Sequence, residues 1–187
     1  MSLFTKIIRE SLPMLLAASL ITSIGGLSLQ FVQDSLMFFL PLFIMLPAMN
    51  AMMGDFGIVM VSKFTTYLSE HPRPALQKRR RFAHHLFRDM FVVALLSTAY
   101  MVMLSLLLSA FHDFPLTSLF VFQTFVITFL VVFTLFLIIF MIAMTFGWYA
   151  YKRKKDPDDM LIPLTTSIAD LGTMIMLALL IRFFFGA

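Results

Sequence analysis

An all-helical integral membrane fold with five transmembrane helices is what this chain predicts, on three observations. Its 187 residues are 60% hydrophobic and only 13% charged, about half the charged share of soluble domains. The apolar residues fall in stretches of spanning length, near 12–31, 36–62, 90–111, 117–149 and 161–185, each long enough to cross about 30 Å of hydrocarbon as a helix. Lys and Arg collect in alternate connections between those stretches. A chain this short has no large protein interior in which such helices could be hidden, so lipid is what they face.

Before the first span, MSLFTKIIRESL places Leu3, Phe4, Ile7 and Ile8 near one helical face, which predicts a short interfacial helix leading into the membrane. A cleaved signal peptide is the competing reading. The apolar run exceeds the usual length of about 7–15 residues and no A-x-A site follows it. Span two contains LPAMNAMMGDFGIVMVSK, and the connection after it, HPRPALQKRRRFAHHLFRD, reads as a basic loop. Span four is long enough for a helix of about 50 Å, so it has to tilt or protrude. Trp148, Tyr149 and Tyr151, just before KRKK, read as an interfacial aromatic anchor. Span five follows YKRKKDPDD.

With the amino terminus in the cytoplasm, Lys6, Arg9 and both basic connections share one side, and only Arg182 falls opposite. The outer connections, around QDS and HDF, carry Asp34 and Asp113 and no Lys or Arg. This asymmetry predicts the orientation, with the carboxyl terminus outside and the chain in the plasma membrane. No linker or polar segment divides it, so residues 1–187 form one membrane domain. No internal repeat is present to build a two-fold pathway. A second copy of the chain would have to supply that symmetry, which predicts a homodimer.

The absence of Cys excludes disulfide frameworks, thiolate metal sites and thiol nucleophiles. The formal charge of +4 is explained by membrane topology and membrane lipids, with no nucleic-acid partner.

Two carboxylates stand inside the spans: Asp55 in span two and Asp170 in span five. An ionised Asp at mid-membrane costs about 2.5–3.5 kcal/mol on insertion scales, so such groups face a bundle interior or a wet path. Asp170 lies seven residues beyond Pro163, and Asp55 eight residues before Lys63, so antiparallel spans bring both to a similar depth, about 10–12 Å in. On span five, Pro163, Thr166, Ser167, Asp170 and Thr173 share a helical stripe; on span two Ala48, Ala51, Asp55 and Ser62 do. Gly54, Gly57 and Gly172 allow close backbone approach, and Asn50 lies one turn from Gly54. Carboxylate, hydroxyl and carbonyl oxygens without thiolate or intramembrane imidazole suit a hard divalent cation, above all Mg2+, which dehydrates reluctantly. Mn2+, Co2+ and Ca2+ fit the same oxygens. The ion is cargo, and no resident cofactor is expected.

Three segments carry a resemblance. ESLPMLLAASLITSIGGLSL, LPAMNAMMGDFGIVMVSKFTTYL and DPDDMLIPLTTSIADLGTM are similar to the membrane domain of the MgtE magnesium transporters, and closer still to its compact archaeal and eukaryotic solute-carrier relatives. The third is the most specific, with its Asp-Pro-Asp, Pro, hydroxyl residues and Asp-Leu in register. In the second, Gly54-Asp55 stands where the family has Gly-Asn, and Ala51 where its first Gly is expected. The resemblance implies paired five-span domains whose second and fifth spans line the ion path. It makes Asp170 the principal carboxylate for hydrated Mg2+, puts Asp55 at the pore-lining Asn position with Ala51 on the same segment, and makes Thr166 a further candidate on the stripe of Asp170; the Thr166 and Ser167 hydroxyls can accept hydrogen bonds from the waters of such an ion. The cytoplasmic sensing domains of bacterial members have no counterpart in the sequence.

Other classes compete. An intramembrane aspartyl peptidase also needs two carboxylates at one depth, but its G-x-G-D motif would have Gly where Met52 stands, and Pro74-Ala75-Leu76 falls in the basic connection. A noncatalytic assembly or lipid-binding subunit would use the QKRRRFAHH cluster and leaves Asp55 and Asp170 unexplained. Met45, Met49, Met52, Met53 and Met60 resemble a thioether copper set, although Met in an apolar span is ordinarily packing. His84 and His85, about 100° apart on a helix, make a poor chelate. Asp156, Asp158 and Asp159 can partner the neighbouring Lys residues, recruit cations, or cap span five at Asp159.

Overall fold

The computed structural model describes residues 3–30, 39–71, 75–153 and 156–185 as five helices: α1 (Leu3–Gln30), α2 (Leu40–Glu70), α3 (Leu76–Ala110), α4 (Ser118–Lys152) and α5 (Pro157–Phe185). No strand occurs among these residues. The connection carrying Asp34, residue Pro74, and the side chains of Leu3, Phe4, Lys6, Ile7, Ile8 and Arg9 lie outside the described part. Helices α2 to α5 are long and apolar enough to cross a membrane; in α1 the apolar part is the shorter Leu15–Gln30.

Three expectations change at the helix ends. First, α1 is one continuous helix through Pro13, where the sequence suggested an interfacial helix joined to a span. Second, most of the basic connection is helical, because α3 already begins at Leu76. Ala, Leu, Gln, Lys and Arg favour helix, and Phe82 stacks on Tyr67 of α2 with centroids 4.1 Å apart and on Phe64 at 6.3 Å. That stacking ties the polar start of α3 to the end of α2. Third, Asp156 rather than Asp159 caps α5: its Oδ1 accepts the Asp158 N–H at 3.1 Å, Pro157 takes the first helical position, and Asp158 and Asp159 occupy the first turn. Proline fits there because its missing N–H would have no intrahelical partner.

The turn between α3 and α4 uses Asp113 in the left-handed region, φ 55°. The Phe114 N–H then reaches back to the Ser109 carbonyl at 3.2 Å, and Thr117 Oγ1 accepts the Phe120 N–H at 3.3 Å to start α4.

Helix α5 packs against α1, α2 and α4; α3 closes the other side against α2 and α4. The core is a stripe of α2 (Leu42, Met45, Met49, Met53, Met60, Phe64, Leu68) against Ile127, Val131, Leu135, Ile139 and Ala143 of α4. The methionines are thus core packing, where flexible thioethers fill irregular gaps; Thr128 Oγ1 donates to Met45 Sδ at 3.4 Å. Two glycines set the approach of α5 to its neighbours. A Cβ at Gly57 would meet Thr165 Oγ1 at 2.8 Å, and one at Gly25 would meet the Leu171 Cα at 3.0 Å. Both helices therefore come closer to α5 than a larger residue allows.

Candidate cation site

Three helices converge on Asp170. From α2, the Asn50 Nδ2–H donates to its Oδ1 at 2.8 Å, and from α1 the Thr22 Oγ1–H donates to its Oδ2 at 3.3 Å. The carboxylate is half-buried, and no Lys, Arg or His pairs with it; the one ion pair among the described residues joins Arg88 and Asp89. Asn50 Oδ1 is buried without a hydrogen-bond partner among the described residues, as is Thr173 Oγ1, three residues beyond Asp170. A buried amide oxygen without a donor costs about 1–3 kcal/mol. Carboxylate and amide thus present acceptor oxygens in excess of donors. Such a set can hold a cation or its bound water.

Local sequence shapes this stretch of α5. Pro163 has no N–H to offer the helix. In the following turn Thr166 Oγ1 donates back to the Ile162 and Pro163 carbonyls, both at 3.0 Å, and Ser167 Oγ to the Pro163 carbonyl at 2.7 Å. Their protons are committed to the backbone, which leaves their lone pairs as acceptors. Thr166 turns its methyl toward Gly54, where an added Cβ would lie 3.7 Å from Cγ2. Ser167 is buried.

The sequence-derived set therefore divides between two faces. Asp170 and Thr166 face the contact between α2 and α5, whereas Ala51 and Asp55 are exposed on α2. Asp55 is about 140° around the helix from Asn50 and about 7.5 Å further along it. Within one protomer it is Asn50, not Asp55, that stands level with and bonded to Asp170. No group of three or more His, Cys, Asp or Glu able to hold a metal occurs among the described residues. Asn50, noted along the chain only as one turn from Gly54, and Thr22 complete the site without having been among its sequence-derived residues. Their signal was a polar side chain in an otherwise apolar span, which only the packing of three helices turns into a site.

From Asp55 the exposed stripe of α2 continues through Thr66 to Glu70, with Ser62 half-buried between them. There an open groove of about 380 Å³ is lined by Ser62, Lys63, Thr66, Tyr67 and Glu70 of α2 and Phe82, His85, Leu86 and Asp89 of α3. His84 and His85 are neighbours at the start of α3, with ring centroids 6.2 Å apart and planes at 64°.

Apolar helices of spanning length around a polar intramembrane centre define a multi-pass membrane protein. Its family follows from comparison: the MgtE divalent cation transporter model matches residues 46–180, which include Asn50, Asp55 and Asp170 and exclude α1. The chain belongs to this family of divalent cation transporters. No curated protein and no solved structure matches it.

Proposed function

We propose that the protein passes Mg2+, largely hydrated, along an oxygen-lined path between two copies of the chain, with α2 and α5 lining the path. The observation that carries the reading is the Asp170 carboxylate held by Asn50 and Thr22 beside an unpartnered Asn50 oxygen. A hydrated divalent ion answers both features: its charge offsets the carboxylate, and its waters donate to the amide oxygen. Contact through water keeps binding weak enough for release, which transport requires.

The second copy is argued from Asp55. It lies at the middle of the exposed face of α2, flanked by Ala51 and Val59, where acyl chains would surround it in a lone protomer. A carboxylate so placed is costly, and the same face of a second protomer, with water and cations between, removes it from lipid. In this arrangement α1 also crosses the membrane, the amino terminus and the basic ends of α2, α3 and α4 are cytoplasmic, and the membrane is the plasma membrane. The groove at Glu70 and Asp89 is the cytoplasmic mouth.

Mg2+ flux into proteoliposomes holding only this protein tests the proposal, with and without opposing Na+ or proton gradients. Flux lost in Asp170→Ala with dimer formation intact supports it; unchanged flux removes Asp170 from the path. Peptide cleavage without ion flux would favour the peptidase, which needs paired carboxylates, whereas Asp170 is bonded to an amide and a hydroxyl and Asp55 faces outward.

A further inference from the structure

The start of α3 and the end of α4 bring two cationic groups onto one aromatic ring. Arg79 Cζ lies 4.4 Å and Lys152 Nζ 5.3 Å from the centre of the Trp148 indole, and Arg153 Cζ lies 4.5 Å from that of Tyr149. Neither Arg79 nor Lys152 forms an ion pair among the described residues. Lys78, Arg80 and Arg81 stand on the same turns of α3, all three exposed, and the first turn of that helix holds no acid. Of the acids nearest in sequence, Asp89 pairs with Arg88 and Asp156 accepts the Asp158 N–H at the start of α5.

Like charges gathered on one ring repel each other, and attraction to the indole, about 0.5–1 kcal/mol at an exposed site, offsets this only in part. An anion within reach of both heads would satisfy both. The indole stands at the end of an apolar helix, which is the depth of lipid headgroups, and Arg and Lys reach that depth with apolar stems against lipid and protein. We infer that Arg79 and Lys152, braced by Trp148, form a binding site for the phosphate of an anionic phospholipid at the membrane surface. The site sits on the side of α3 and α4, remote from Asp170 in sequence and on helices other than α1, α2 and α5. Lipid bound there would pin the polar start of α3 to the end of α4. Its existence does not depend on which ion the protein carries.

Trp148 is the single tryptophan of the chain, so its fluorescence reads this site alone. The experiment places the protein in phosphatidylcholine vesicles with stepwise additions of phosphatidylglycerol. It follows Trp148 emission and quenching by neutral acrylamide. A response that saturates is expected, with the half-saturating phosphatidylglycerol fraction raised about tenfold or more in Arg79→Gln or Lys152→Gln, the factor for one hydrogen bond to a charged group. Arg81→Gln removes the same charge from α3 without touching the ring and should shift the midpoint less, by about fivefold at most, the factor for general surface attraction. Equal shifts in all three variants, or an unsaturable response, would reduce the site to general surface attraction and overturn the assignment. The same emission change produced by inorganic phosphate in detergent would also overturn it, as a site for soluble anions. So would the absence of any response.

Discussion

Replacing Asp170 with Asn is the most informative single change, because it removes the charge and little else. The amide oxygen introduced by Asp170→Asn can still accept from Asn50, whose Nδ2 stands 2.8 Å from the present carboxylate Oδ1, so the contact between α2 and α5 persists. A Mg2+ ion separated from the carboxylate by one water lies about 4.5 Å from it, given Mg–O distances near 2.1 Å. Two positive charges and one negative at that distance attract by about 2 kcal/mol in bulk water and about 7 kcal/mol at an effective dielectric of 20. The carboxylate's own desolvation offsets part of the larger figure, so the wet limit is the safe minimum. It corresponds to about thirtyfold weaker binding. Folding stability should move the opposite way or stay level, because an intramembrane charge disappears. The assay is Mg2+ entry into proteoliposomes against concentration, with thermal unfolding in detergent measured alongside. Wild-type affinity and flux in a well-folded Asp170→Asn protein would refute the electrostatic argument.

Asp55→Asn brings the family-like residue to an exposed position on α2. It should keep Mg2+ flux with a changed affinity or order of ions, and complete loss in the same flux assay would show that this carboxylate is indispensable. Asn50→Ala removes a hydrogen bond to a charged acceptor, which is worth about 1.5–3 kcal/mol. Flux should fall about tenfold or more, and a smaller loss is expected from Thr22→Val because its bond is longer, 3.3 Å. Reversal of that order would argue that α1 rather than α2 positions the carboxylate. Gly57→Ala places a Cβ 2.8 Å from Thr165 Oγ1 and 2.9 Å from its Cβ, so α2 and α5 must separate slightly at a cost of about 1–3 kcal/mol. A lowered unfolding temperature is expected, and an unchanged one would mean the contact is looser than the structure has it.

Much of the site was legible along the chain. An acid in an apolar span is conspicuous by cost alone, so Asp55 and Asp170 were bound to attract notice, and the hydroxyl run before Asp170 has the spacing of one helical stripe. Their relation to one another was not legible. Depth counted from Pro163 and Lys63 put the two acids at a similar level, and within one protomer Asn50 stands opposite Asp170 while Asp55 is turned outward. Asn50 lies at the edge of the buried face, beside Met49 and Met53. A count of residues measures height along a helix, but it says nothing of rotation about the axis.

Composition and local order settled that this is a helical membrane protein, because transfer of each segment into hydrocarbon and its internal hydrogen bonding depend on that segment alone. The helix start at Leu76 and the partners of Asp170 depend instead on contacts across the fold: Phe82 against Tyr67, Gly57 against Thr165, Gly25 against Leu171. Such contacts choose which side of each helix turns inward, and residues far apart in the chain have to meet before that choice is made.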